Sequence, residues 1–93
     1  MTLQIRNVKQ FKKDVKRYCH KKQLLEDLKT VIDLLVNEKP LDAHYRDHSL
    51  IGGWTGYREC HVRGDLLLVY KVAKEEDRLY LAAFGSHAEV LHI

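Results

Sequence analysis

The sequence predicts an α+β fold: a two-helix hairpin packed on one face of a small, mostly antiparallel four-stranded sheet, in the order β-α-α-β-β-β. Three observations carry this. A short strand-like segment opens the chain, two amphipathic helical periods follow, and three strand-like runs fill the second half. The length of 93 residues suits a single domain, 1–93.

Leu3 to Arg6 reads as the first strand. Asn7 then precedes a helical pattern with Gln10 three residues on, a variant of the capping box. Val8, Phe11, Val15 and Tyr18 (or Cys19) share one face of that helix, and Lys9, Lys12, Lys13, Lys16 and Arg17 occupy the others. The chain turns around Lys21 and Lys22. A second helix is expected from Gln23 to Asn37, with Leu24, Leu28, Val31, Ile32 and Leu35 inward, and Pro40 cannot continue it. Leu41 to Gly56 is a polar loop region punctuated by Gly52, Gly53 and Gly56.

Three strands complete the pattern. In Tyr57 to Val62, Tyr57, Glu59 and His61 alternate with Arg58, Cys60 and Val62. Leu66 to Val72 is almost continuously apolar, as befits a strand covered on most of its surface. Arg78 to Phe84 is the last. Helices on one face leave the other face and its rim loops for binding.

Composition narrows the class of function. No run of about 18 apolar residues is present, so no membrane span is expected. The first residues lack the apolar stretch of a signal peptide, and a cytosolic location is expected. Cys19 and Cys60 form no CxxC pair, which fits a reducing compartment and two packing residues. Charge is uneven. Residues 1–40 hold ten Lys/Arg and five Asp/Glu, whereas residues 41–93 hold six and eight. A basic first half suits a polyanionic partner such as RNA, although on charge alone a lysine-rich solvated helix face accounts for it slightly better.

Four of the six histidines, His44, His48, His61 and His87, lie near loops and strand ends of the second half. Asp65 lies across a tight turn from His61, so its carboxylate is expected to reach the ring. Such a bond fixes the tautomer and raises the basicity of the other nitrogen. RNA cleavage by the 2′-hydroxyl needs a base, an acid and a cation, and imidazole suits both proton transfers because its pKa is about 6.5. Arg58 or Arg78 would supply the cation, and Trp54 and Tyr57 a stacking surface for a base. Singly, each residue has a plainer reading as loop, turn or core. Zinc on His44 and His48 with His61 or His87 is disfavoured, because Tyr45-Arg46-Asp47 is not a convincing helix and neither cysteine has ligand spacing.

The run Asp47-His48-Ser49-Leu50-Ile51-Gly52-Gly53-Trp54-Thr55-Gly56-Tyr57-Arg58-Glu59-Cys60-His61-Val62-Arg63-Gly64-Asp65 resembles the D-H-x-L-x-G-x-W-x-G-Y-R-[DE]-x-H-[VI]-x-x-D pattern of YafQ-type toxins in the RelE/ParE superfamily. Leu66 to Lys71, Phe84 to Glu89, Phe11 to Asp14 and Pro40-Leu41 extend the match. The resemblance implies a toxin of a bacterial toxin–antitoxin system. It implies an endoribonuclease that enters the ribosomal A site, cuts mRNA without a metal or other cofactor, and is blocked by a cognate antitoxin. His48, His61, Asp65 and His87 match that family's active site, and basic residues of the first helix would touch ribosomal RNA. No membrane or direct DNA contact is expected. Which histidine is base and which acid stays open, with His61 or His48 as base and His87 as acid. The pattern has tryptophan where this chain has Leu66 and phenylalanine where it has Leu91, so both become packing residues and codon preference is unassigned. His20, His44 and His92 are bystanders. The rival reading is a non-catalytic binding module of the ParE kind, whose members lack this histidine set.

Overall fold

The structure, a computed structural model, describes residues 2–50 and 52–91. His92 lies outside the described residues, and so does the side chain of Leu91. The elements are β1 (Gln4–Asn7), α1 (Lys9–Arg17), α2 (Lys22–Val36), β2 (His48–Ser49), β3 (Arg58–Arg63), β4 (Leu66–Ala73), β5 (Arg78–Ser86) and α3 (His87–Leu91). The strands form one sheet in the order β1-β5-β4-β3-β2. Only β1 and β5 run parallel.

The sheet thus has five strands where four were expected, and a third short helix follows it. β2 has two residues, too few to show alternation, and it exists through its pairing of His48 with Glu59 and Ser49 with Arg58. The helix boundaries shift little. Val8, not Asn7, caps α1, and no side chain bonds its N-terminus. Asn7 stays in the strand opposite Leu81, and Gln10 instead donates to Asp14.

Leu24, Leu28, Val31 and Leu35 of α2 are buried as their spacing requires, against Cys60, Val62, Leu68, Tyr70, Leu79, Leu81 and Phe84 of the sheet. The opposite face carries a smaller cluster. Val69, Ala82, Ala83 and Val90 are buried there, with Leu50, Trp54 and Tyr57 packed against them. β4 is covered on both faces, which explains its unbroken apolar run. No helix among the described residues is long and apolar enough to cross a membrane.

Candidate active site

Three histidines converge on the face away from α1 and α2. β2 delivers His48, β3 delivers His61, and α3 begins with His87. The rings of His61 and His87 lie 5.9 Å apart, edge to face. At the centre is Glu59, only 2% exposed. Its Oε1 lies 3.0 Å from His48 Nε2 and 3.4 Å from His87 Nε2. Its Oε2 is buried with no hydrogen-bond partner among the described residues.

Local backbone choices hold the rings. Arg46 adopts the left-handed region (φ 51°), and its carbonyl lies 2.8 Å from His48 Nδ1. Gly64, with φ 57°, forms the turn between β3 and β4, and its carbonyl lies 3.4 Å from His61 Nδ1. That corrects one expectation. The carbonyl of Gly64, and not the carboxylate of Asp65, orients His61, and Asp65 is an exposed turn residue.

The two candidate arginines are elsewhere. Arg58 alternates with Glu59, so it projects from the other face of the sheet, where it donates to Asp47 at 2.9 Å and Ser49 at 2.8 Å. Tyr70 donates to the same Asp47. Burial and the Asp47 carboxylate push the Tyr70 phenol upward, and Asp47 raises the Arg58 guanidinium. This is a structural cluster, with Arg58 already paired. Arg78 opens β5, whereas Ser86 closes it beside His87. Nine strand residues separate the two ends by about 26 Å. Arg78 instead faces Glu76, 3.7 Å away.

Trp54 and Tyr57 stack edge to face at 5.4 Å and are half-buried at the rim of the histidine face. Lys71 lies over the Tyr57 ring, 5.8 Å from its centroid. Lys9, Lys12, Lys13 and Lys16 are exposed on α1. Arg17 of the same helix bonds Glu89 of α3 at 2.8 Å, so the basic helix adjoins the element that carries His87. His44 sits apart with Asp42 (2.9 Å) and Tyr45, and His20 is exposed in the turn after α1. Leu66 packs against the helix-side core.

Glu59 was not singled out in the sequence, yet a signal existed: strand alternation puts it on the face of Tyr57 and His61. α3 also had a signal. Ser86 and Glu89 have the spacing of a capping box, and each bonds the other's backbone N–H, at 3.3 and 3.0 Å.

The arrangement offers imidazoles for proton transfer, an aromatic rim and an adjoining cationic helix. Among the described residues, no three His, Cys, Asp or Glu side chains are arranged to hold a metal ion.

Comparison with known proteins agrees with this architecture. A crystal structure of a metal-bound toxin from Helicobacter pylori superposes with a TM-score of 0.86 at 44% identity, covering 94% of this chain and 97% of that one. The Escherichia coli DinJ–YafQ complex matches with a TM-score of 0.82 at 38% identity, over 94% and 96% of the two chains. The mRNA interferase toxin YafQ of Escherichia coli K12 is 40% identical over 80 residues, 85% of each chain. The family profile for YafQ, a bacterial toxin of type II toxin–antitoxin systems, matches residues 3–92. On that match and that identity, the chain belongs to the YafQ family of type II toxins.

Proposed function

We propose that this chain is an mRNA interferase: a ribosome-dependent endoribonuclease, acting in the cytoplasm as a single domain and held inactive by a cognate antitoxin. The observation that carries the reading is the meeting of His48, His61 and His87 on the open sheet face. The relatives add to it. The Escherichia coli protein is an mRNA interferase, and its complex with DinJ supplies the precedent for an antitoxin. They also favour catalysis over a non-catalytic binding module.

His61 is the best-prepared base. Its Nδ1 faces a carbonyl, which only accepts, so that nitrogen carries the proton and Nε2 has a free lone pair. It takes the 2′-hydroxyl proton as O2′ bonds to phosphorus. His87, at the start of α3, protonates the 5′-oxygen as the P–O5′ bond breaks. A 2′,3′-cyclic phosphate and a 5′-hydroxyl result. This chemistry needs no metal, since each proton transfer by a positioned imidazole contributes on the order of 10²–10⁴ in rate. Asp65, at the exposed lip of the β3–β4 turn, would act on the RNA directly and not through His61. Trp54 and Tyr57 would receive a base. Lys9, Lys12, Lys13 and Lys16 would dock on ribosomal RNA.

The test is induction of the parent chain, His61→Ala and His87→Ala in growing bacteria, with primer extension on cellular mRNA. The parent should create new 5′ ends inside coding regions and arrest growth, and each variant should lose both. Arrest by both variants as strong as the parent's would overturn the site.

A further inference from the structure

Given the nuclease reading, we infer that His48, held as an imidazolium by Glu59 and the Arg46 carbonyl, is the cation that stabilises the phosphate charge during cleavage. Neither arginine that the sequence offered for that role is available there, since Arg58 is bound on the opposite face and Arg78 sits at the far end of β5.

The argument is one of proton counting. His48 Nδ1 lies 2.8 Å from the Arg46 carbonyl, which cannot donate, so Nδ1 must carry a proton. Its Nε2 lies 3.0 Å from Glu59 Oε1. A bare Nε2 facing a carboxylate would set lone pair against lone pair, so one proton must lie between them. On the ring, that proton lets both N–H groups meet an acceptor, the Arg46 carbonyl and Glu59 Oε1.

The surroundings agree. Glu59 is buried with one oxygen unpartnered, and a buried carboxylate is tolerated only beside a compensating charge. The groups that face the pair are the Arg46 carbonyl from the loop before β2 and His87 from α3, whose Nε2 lies 3.4 Å from the same Oε1. The side chain of His48 is 52% exposed, so the ring edge between its two bonded nitrogens can approach a phosphate and act on it through charge, with no N–H left to donate. His48 therefore moves no proton during the reaction. It offsets charge that develops on the non-bridging phosphate oxygens, while His61 and His87 carry the two transfers. Glu59 is a positioning residue that acts through His48, and its Oε1 also lies 3.4 Å from His87 Nε2.

Long-range ¹H–¹⁵N correlation spectra of the intact labelled protein test this without any variant. At pH 7.5, where a free imidazole is neutral, His48 should show two protonated ring nitrogens. In Glu59→Gln, His48 should revert to a neutral ring protonated on Nδ1, and cleavage of ribosome-bound mRNA should fall by about 100-fold. A neutral His48 ring in the parent protein overturns the inference and leaves the nuclease reading standing. Full cleavage by Glu59→Gln with a neutral His48 overturns the catalytic role of the charge. A parent chain that cuts no mRNA defeats the nuclease reading, and the spectra still report on the ion pair.

Discussion

Asp14 is a charged residue three after Phe11 and four before Tyr18, at the edge of the apolar stripe of α1, and it is 4% exposed. The reason is an unpaired strand edge. β1 accompanies β5 only as far as the pair Asn7–Leu81, so the N–H of Phe84 points outward with no strand to receive it. Asp14 Oδ2 accepts that N–H at 3.0 Å, while Arg17 and Gln10 bond its other oxygen. Asp14→Ala would leave a buried N–H unsatisfied, at a cost of about 1–3 kcal/mol. Urea denaturation followed by circular dichroism should show the midpoint falling with no change in slope. At this scale, side-chain type was legible and partner choice was not. His61 was correctly set beside the β3–β4 turn, but periodicity does not say that a carbonyl outcompetes Asp65. Glu59 could be placed on the right face, but its two imidazole partners come from β2, too short to show alternation, and α3, too short to show a helical period.

α3 has five residues, too short to persist on its own, and depends on its attachments. Gly85 lets it fold back. Its φ is 155°, and a Cβ there would come within 3.0 Å of Glu89 Oε1. Glu89 closes the capping box and accepts from Tyr18 at 2.7 Å and Arg17 at 2.8 Å, tying α3 to α1. The bond from the Ser86 N–H, followed by that from Tyr18, brings its carboxyl down from the ordinary 4.5 to about 2. Burial and the same Glu89 contact push the Tyr18 phenol up to about 12. A carboxyl whose folded value is depressed stabilises the fold above its unfolded value, and that contribution is lost as pH falls through the folded one. Stability should therefore decline between about pH 4.5 and 2. Glu89→Gln should flatten that decline, as urea midpoints at pH 6 and pH 3 would reveal; an unchanged decline would mean that other carboxyls cause it. The S-x-x-E signal for this element was present in the sequence, but five residues give no helical period to accompany it.

The whole molecule is a sheet with two unequal coats. α1 and α2 cover one face with most of the large apolar side chains, and the other receives a small cluster that leaves room for the histidines. This division was legible, because β3 alternates and the helices show one apolar stripe each. The histidines' meeting point was not, because it depends on the β2–β3 register and the return of α3. The coats also separate the two thiols. Cys60 is fully buried beneath the helices, and burial, aided by the carboxylates of Asp47 and Glu59, pushes its thiol up to about 12. Cys19 is exposed just after α1. Only a thiolate reacts with an alkylating agent, so Cys60 is protected both by its shielding and by its protonation. Iodoacetamide at neutral pH should modify Cys19 promptly and Cys60 only when the helical coat opens. In increasing urea, the modification of Cys60 measured by mass spectrometry should follow the global unfolding transition. Rapid labelling of Cys60 without denaturant would show that α2 lifts from the sheet independently, in which case the two coats do not unfold as one cooperative unit.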